Sequence, residues 1–366
     1  MGDFFMYKKQ IRKLYLAAVF ESFALGNAAW VALLAQRGYS IGQIGILEAI
    51  FHVVSLSGEI PSGVMADVLG RKKVMVLSRI MSLLSALVMI FSRSFQSIAI
   101  AVGISALSYN LASGTREALA YESLKAYGKE TEYNRFSATE MMIYRIGTAC
   151  STLLAGFSLM LGYRKAYSLD MVFGIFGVMT VLGLSEMTQP AVSGKDGIGI
   201  RCKACVTESI LFLKKNPKVM GLILVNSLVG AVSTLLLFFL QAKLPEIGLN
   251  PSLLGPALFF MQLGAALGAK LVQYCSRLRF RGIVIFSISG IAAALGSLLL
   301  GNPYIVIAGG FMAAFFDDFM EVRADIILNE KIPSRQRSTL ISVSSFSFSV
   351  IMIFLSPFMG WIFDRI

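Results

Sequence analysis

The chain has 366 residues, of which 56% are hydrophobic and only 15% are charged, and its mean hydropathy is +0.72. A water-soluble core of this length cannot bury so much apolar surface, so the composition excludes a soluble globular protein and indicates a membrane protein. The net charge of +12 does not indicate nucleic-acid binding, because the Lys and Arg residues stand in short gaps between apolar runs and form no basic face.

Eleven apolar stretches reach the roughly 20 residues that a helix needs to cross about 30 Å of hydrocarbon. In chain order the predicted spans are 14–36, 41–66, 74–92, 94–115, 141–163, 166–184, 219–242, 249–269, two spans within 282–316 that are divided at Gly301 to Pro303, and 338–363. The first is too long for a signal peptide and is predicted to stay in the protein. The pattern predicts an all-α polytopic membrane protein.

The basic residues predict how these spans are oriented. If the N-terminus is inside, 25 of the 33 Lys and Arg residues fall in cytoplasmic segments and six fall outside. Cytoplasmic loops collect Lys and Arg, so we expect a multi-pass protein of the cell (inner) membrane with a cytoplasmic N-terminus.

The spans divide into two groups around a polar stretch. Residues 1–186 form a predicted six-helix bundle, residues 187–217 a cytoplasmic connecting loop, and residues 218–366 a bundle of five helices. Transporters built from two such halves bind their substrate near the membrane midplane. Twelve spans are expected for that design, so the sequence is either truncated or lacks its last helix.

A motif lies at the inner end of the second span and continues past it. Residues 58–73 contain the pattern GxxxDxxGRKK, formed by Gly63, Asp67, Gly70, Arg71 and Lys72 with Lys73. A glycine at position 63 allows another helix to approach closely, and a glycine at position 70 permits a tight turn. The Asp67 carboxylate can accept hydrogen bonds from a helix N-terminus or pair with Arg71.

This motif resembles the signature between the second and third helices of the major facilitator superfamily. Residues 113–124 and 329–339 are similar to the corresponding stretches of its bacterial drug-efflux members. The resemblance implies two pseudo-symmetric helical bundles and an inner gate of Asp67, Arg71 and Glu122, which Ser338 at the start of the last span would meet. Two departures stand against a full match: the second half has only a faint echo of the motif, and span five has no Pro, which weakens the case for antiport.

Ionisable residues inside spans are costly and tend to be functional. Glu48 and His52 lie on one polar stripe of span two, together with Ser55 and Glu59, and His52 either relays protons or only packs against Glu48. Three acids of span ten are predicted to line a cavity, and these are Asp317, Asp318 and Glu321.

Span one adds Glu21, and span five adds Arg145, for which we expect a carboxylate partner from a neighbouring span. Asn27, Trp30 and Asn110 are candidate substrate-cavity residues. The acids outnumber Arg145, which favours protons or cations over anions in the cavity, and nearby aromatic residues favour a lipophilic substrate.

These observations predict a secondary active transporter that exports a small amphiphilic or cationic compound in exchange for protons, by alternating access. The alternatives are an uptake symporter for a small nutrient, which the same fold supports, and a truncated remnant that does not transport. We expect a monomer in the lipid bilayer, with the proton gradient as its energy source and with no cofactor, metal or nucleic acid. The sequence has no metal-ligand spacing, nucleophile with a base or phosphate-binding loop, so an enzyme is not predicted.

Overall fold

The computed structural model describes residues 2–186, 207, 216–274, 280–331 and 337–366, and within these ranges the chain is helical and has no β-strand. The helices are α1 (Gly2–Ser22), α2 (Leu25–Ala28), α3 (Trp30–Gln36), α4 (Ile41–Leu69), α5 (Arg71–Phe91), α6 (Phe95–Ala112), α7 (Thr115–Ala126), α8 (Tyr133–Leu153), α9 (Ala155–Leu161), α10 (Tyr163–Leu182), α11 (Pro217–Glu246), α12 (Leu254–Leu271), α13 (Phe280–Leu298), α14 (Pro303–Lys331) and α15 (Arg337–Phe363). Short 3₁₀ turns lie at Glu130–Glu132, Pro251–Leu253 and Val272–Tyr274.

The helices account for the predicted spans. Eight described helical segments are long and apolar enough to cross a membrane, and a ninth is counted when α8 and α9, which are bent by 50° at a short break, are taken as one span. The two remaining predicted spans correspond to the run from α1 to α3 and to the 29-residue α14. The prediction of an all-helical polytopic membrane protein is therefore confirmed.

The described chain forms two compact units. Unit 1 comprises Met1–Trp30 and Val54–Cys202, and unit 2 comprises Val31–Val53 and Lys203–Ile366. The helix α4 therefore contributes its first part to unit 2 and its second part to unit 1. Most of the predicted connecting loop, with the CxxC pair Cys202 and Cys205, lies outside the described residues, so the predicted division at 187–217 stays a prediction.

The first predicted span is not one continuous helix. The helix α1 begins at Gly2, well before the apolar run, and ends at Ser22, after which Ala24 has an extended backbone (φ −141°, ψ 101°). The chain then resumes as the short helices α2 and α3. Apolar residues in the sequence predict which segments lie in the membrane. They do not predict a break in a helix when distant side chains accept the hydrogen bonds of the backbone groups at the break.

Two glycines make turns that other residues would make only with strain. Gly70 separates α4 from α5 with φ +93°, and Gly114 separates α6 from α7 with φ +68°. Both values lie in the region that side chains with a β-carbon rarely adopt. The predicted role of Gly70 in a tight turn is confirmed.

Each unit has its own apolar core. In unit 1, five helices meet around Leu14, Met75, Leu119, Phe136 and Val181, all of which are buried. In unit 2, the helices α11, α14 and α15 pack around Ile223, Ala324 and Val343, while Gly264 and Gly268 of α12 lie directly against main-chain oxygens of α14. Small residues at such crossings let helix backbones approach closely inside a membrane.

Candidate functional site

The motif end of unit 1 is held by contacts from both α5 and α7. The Arg71 Nε donates to Glu122 Oε1 across 2.6 Å, and this pair is half-buried. The backbone N–H of Lys72, in the first turn of α5, donates to Glu186 Oε2 across 2.9 Å. A carboxylate at a helix N-terminus is stabilised by the free N–H groups and the helix dipole. The contact between Arg71 and Glu122 is therefore present, and its role as a gate stays a prediction.

Other parts of the predicted gate are exposed or lie outside the description. Gly63 is exposed, and no atom of the described residues lies within 4 Å of the position that its β-carbon would take, so the expected close approach of a helix there stays a prediction. The side chains of Asp67 and Ser338 lie outside the described part of the structure, so their predicted contact stays untested.

Inside unit 1 a group of opposite charges joins four helices, and we call it the ionic cluster. Glu21 of α1 pairs with Arg79 of α5 across 2.7 Å and, through its other oxygen, with Arg116 of α7. The Nε of Arg116 in turn donates to Glu140 of α8, which is buried. Two guanidinium groups and two carboxylates thus compensate one another, which is the condition for keeping charges inside a membrane protein.

The cluster corrects the charge balance inferred from the sequence. Glu21 was expected to add to an excess of acid opposed by Arg145, but its charge is compensated by Arg79 and Arg116. Arg145 is exposed, and no carboxylate of the described residues lies within ion-pair distance of it. The expectation of a carboxylate partner for Arg145 is therefore not met in the described chain. Position within a span does not reveal which way a side chain points.

The break in the first span is stabilised by polar groups of α8 and α10. Asp170 of α10 accepts hydrogen bonds from the backbone N–H of Leu25 at 2.5 Å and of Asn27 at 3.1 Å. The Ser151 hydroxyl of α8 accepts from the N–H of Ala24 at 3.1 Å. Backbone groups released from a helix inside a membrane need partners, and these side chains supply them.

The three uncharged residues that were predicted to line the substrate cavity have different surroundings. The side chain of Asn27 is exposed beside the break, while Trp30 is half-buried at the start of α3. Asn110 is buried within unit 1: its Nδ2 donates to the Ser55 carbonyl at 2.7 Å, and its Oδ1 accepts from the Ser55 hydroxyl at 2.9 Å. Asn110 thus binds span four to span two, which is a structural use of the side chain.

In unit 2, the only histidine is buried between two polar side chains. The Nε2 of His52 lies 3.4 Å from Glu48 Oε1, and Nδ1 lies 3.4 Å from the Ser349 hydroxyl of α15. The Phe348 ring meets the His52 ring edge-on, with centroids 5.8 Å apart. The predicted contact between Glu48 and His52 is present, and it extends to a helix that the sequence did not link to it.

The second group of interest in unit 2 surrounds Asp317 of α14. A β-carbon placed on Gly230 of α11 would lie 3.6 Å from Asp317 Oδ1 and 3.9 Å from the Phe348 ring. Ser233 lies one turn further along α11 and faces the same carboxylate; it is fully buried, and its hydroxyl makes no hydrogen bond within 3.5 Å to a described residue. No Lys or Arg in the described ranges forms an ion pair with Asp317. We call Gly230, Ser233, Asp317 and Phe348 the Asp317 site.

The other two acids of span ten lie near Asp317 on the same helix. Asp318 and Glu321 both interact electrostatically with Asp317, and Glu321 is exposed while Asp318 is half-buried. The structure thus keeps the three predicted acids together, with Asp317 directed toward α11.

Sequence reasoning missed several residues of these groups. Arg79 and Asp170 stand alone in apolar spans, and an isolated charge within a span was the available signal for both. Gly230 and Ser233 are three positions apart, which places them on one helical face, but small residues with such spacing are common in spans. Nothing in the sequence indicates which helix each of them faces.

Apolar helices sufficient for nine spans, a broken helix and charged groups compensated inside the helix bundle are features of a polytopic membrane transporter. The family model described as Major Facilitator Superfamily matches residues 14–316, and the chain belongs to this superfamily. Its family and fold are those of transporters. No protein of curated function matches the sequence significantly.

Solved transporters share the fold. A mutant of the nucleoside transporter NupG matches 96% of this chain and 91% of its own, with a TM-score of 0.78 and 13% identity. A bacterial homologue of the human lysosomal transporter Spinster, inward-facing and unoccupied, matches 97% of this chain and 81% of its own, with a TM-score of 0.68 and 16% identity. A D-xylose-proton symporter matches 99% and 94%, with a TM-score of 0.64 and 10% identity. At these identities the similarity shows the fold alone.

Proposed function

We propose that this chain is a proton-coupled exporter of small amphiphilic organic cations, which it moves across the cell membrane by alternating access. The observation that carries the proposal is the Asp317 carboxylate, which has no basic partner among the described residues and faces the fully buried hydroxyl of Ser233. The energy source is the proton gradient, and no resident cofactor takes part.

The chemistry of the Asp317 site favours a cation. An ionised carboxylate within a membrane costs about 2.5 kcal/mol or more unless a positive charge or a proton compensates it. A protonated amine bound at Asp317 supplies that charge and can donate a hydrogen bond to the hydroxyl oxygen of Ser233.

The shape of the site favours an apolar group beside the positive charge. Gly230 has no side chain, which leaves space between the Asp317 carboxylate and the Phe348 ring. A cation over an aromatic ring gains about 0.5–2 kcal/mol, depending on its desolvation. The same ring offers an apolar surface to the remainder of an amphiphilic solute.

Two sets of ionisable side chains inside the helix bundles support proton coupling. The ionic cluster of unit 1 and the Glu48–His52 pair of unit 2 both hold ionisable side chains inside the helices. Proton-coupled carriers use such groups because their charge changes when they gain or lose a proton. We further propose a monomer in the inner membrane with a cytoplasmic N-terminus, as the distribution of basic residues predicts.

The proposal is tested with purified protein in liposomes, with ethidium as the probe. An imposed pH difference should drive ethidium transport against its gradient, and tetraphenylphosphonium should compete with it. Asp317→Asn should weaken ethidium binding at least about tenfold, which corresponds to about 1.4 kcal/mol.

The matched control is Asp325→Asn, because Asp325 lies on the same helix but is exposed. This variant should bind and transport ethidium as the wild-type protein does. Equal ethidium affinity in wild type and Asp317→Asn would contradict the assignment of the cation to Asp317. Absence of transport under any pH difference would contradict proton-coupled export.

Uptake of a nutrient is the second candidate. The fold similarity to a nucleoside transporter and to a D-xylose-proton symporter favours testing it, since one fold serves both directions of transport. Cells that express the chain would then accumulate radiolabelled nucleosides or D-xylose when the outside is acidic. Inward accumulation of these solutes, with no movement of ethidium, would replace export by uptake.

A further inference from the structure

The first turns of α1 carry basic side chains on the surface of unit 1. Lys8, Lys9 and Arg12 are exposed, and we call these three residues the α1 basic patch. At about 100° per residue they lie within about 100° of arc around the helix. Between Tyr7 and Phe20 the sequence of α1 contains no acid, so these turns of the helix carry positive charge only.

The opposite side of the same turns is fixed to unit 1. Tyr7, Gln10 and Leu14 are buried, and the Tyr7 hydroxyl donates a hydrogen bond to Glu132. The Nε2 of Gln10 donates to the Ser185 carbonyl at 2.9 Å, and the Ser185 N–H donates to Gln10 Oε1 at 3.0 Å. Because these contacts hold the helix, the α1 basic patch occupies a defined place on unit 1 and is not part of a free basic tail.

The neighbouring charges leave the surroundings of the patch positive. Arg135 of α8 is exposed and lies near enough to Tyr7 to interact with it electrostatically. Glu132, the acid that contacts this part of α1, also pairs with Lys129. A further basic residue of α1, Lys13, donates to the Gly183 carbonyl at the end of α10 and so serves the fold.

The same side of α1 continues as an apolar surface. Leu16 and Val19 are exposed, and their positions fall within the arc of the patch. At 1.5 Å per residue, Leu16 lies about 6 Å along the helix from Arg12. This side of the first span is directed away from the core of unit 1, where a membrane helix meets acyl chains that are as apolar as leucine.

The helix α10 extends this apolar surface. Phe176 and Met179 of α10 are exposed, and the Phe176 ring stacks on Phe20 of α1 with centroids 5.8 Å apart. The exposed side chains of α1 and α10 therefore form one apolar area that adjoins a group of positive charges. A molecule that fits both parts has an anionic head and long apolar chains.

We propose that the α1 basic patch binds the headgroup of an acidic phospholipid whose acyl chains lie on Leu16, Val19 and Phe176. The Lys and Arg side chains compensate the phosphate charge through charge-assisted hydrogen bonds. With Arg135 they form a group of four basic residues, and such groups beside a membrane helix attract acidic lipids. The lipid site is independent of the substrate and direction of transport, so it stands or falls separately from the proposed function.

The first experiment counts bound lipids by native mass spectrometry of the purified protein in detergent. The probes are dioleoylphosphatidylglycerol and dioleoylphosphatidylcholine, which have the same acyl chains and differ in net charge. Wild type should hold phosphatidylglycerol at concentrations at which phosphatidylcholine is not bound. The variant Lys8→Gln/Lys9→Gln/Arg12→Gln should hold one phosphatidylglycerol molecule fewer. Equal numbers of bound phosphatidylglycerol in wild type and this variant would overturn the inference.

A variant with the same net charge is the control. Arg93→Gln/Arg164→Gln/Lys165→Gln also removes three exposed basic residues, but these follow α5 and begin α10 at the opposite end of unit 1. It should hold as many phosphatidylglycerol molecules as wild type. An equal loss of lipid from the control would show that net charge governs binding and would contradict a site at α1.

Two further measurements separate a lipid from a free anion and cover a triple variant that fails to fold. An excess of inorganic phosphate should not displace phosphatidylglycerol, because phosphate has no acyl chains; displacement would show a site for a free anion and would refute the lipid site. One Lys or Arg at an acidic lipid surface contributes about fivefold in affinity, so Arg12→Gln alone should weaken phosphatidylglycerol binding about fivefold. The conservative variant Arg12→Lys keeps the charge and should bind as wild type does, and unchanged affinity in Arg12→Gln would count against the patch.

Discussion

The hydrogen bonds of Asp170 lead to a quantitative prediction for the stability of unit 1. Its carboxylate accepts from the backbone N–H groups of Leu25 and Asn27 at the break of the first span. Asp170→Asn removes the charge and replaces one acceptor oxygen by an NH₂ donor that faces these N–H groups. A hydrogen bond to a charged group contributes about 1.5–3 kcal/mol, and an unsatisfied buried N–H costs a similar amount.

We therefore expect Asp170→Asn to lower the free energy of unfolding by about 3 kcal/mol. At about 2–4 °C per kcal/mol for a unit of this size, the midpoint of thermal unfolding should fall by about 6–12 °C. The assay is heating of the purified protein in detergent, followed by size-exclusion chromatography of the fraction that remains monodisperse.

A second carboxylate in the chain provides the control. Asp364 accepts from the backbone N–H groups of Ile41 at 2.7 Å and Gly42 at 2.9 Å, but it is exposed to solvent. Water can replace its bonds, so Asp364→Asn should cost only about 0.5–1 kcal/mol, as for an exposed helix cap. Equal midpoints for wild type and Asp170→Asn would refute the view that an ionised Asp170 holds the break.

Three further predictions concern packing and ion pairs. Gly45→Ala should lower the midpoint of thermal unfolding by several degrees, because the added β-carbon would overlap the main-chain oxygen of Ser356. The control Gly296→Ala should leave the midpoint unchanged, because no described atom lies within 4 Å of the position its β-carbon would take. Arg71→Glu should reduce ethidium transport at least about tenfold. Adding Glu122→Arg should restore part of the transport, because the double variant again has an ion pair between these two positions, with the charges exchanged. Asn110→Ala should destabilise the protein by about 1–3 kcal/mol, because the Ser55 hydroxyl and carbonyl lose their partner; a midpoint unchanged from wild type would show that they do not depend on it.

Much of the fold could be predicted from local patterns. Apolar stretches of sufficient length identify membrane helices because the hydrocarbon thickness sets the length that each helix needs. The turn at Gly70 follows from a backbone angle that only glycine adopts easily. These features depend on residues that are close in the sequence.

The candidate site could be predicted only in part, as Glu21 illustrates. The sequence places this acid inside a span, which indicates that it is functional or compensated. Its partner Arg116 is 95 residues away, and Arg79 lies on a third helix. A sequence without a structure offers no means of pairing them, so Glu21 was counted as part of an excess of acid.

By itself, the sequence determined that the chain is a polytopic helical membrane protein, which residues lie in its spans, and which motif places it in its family. These follow from hydropathy and from the conformational limits of single residues, both of which are local. The tertiary structure alone decided that the first span breaks at Phe23 and Ala24, where Asp170, 145 residues from Leu25, supplies the missing acceptor. It also decided that Asp317 faces Gly230 and Ser233 and that Glu21 pairs with Arg79 and Arg116, because side chains meet only when helices pack.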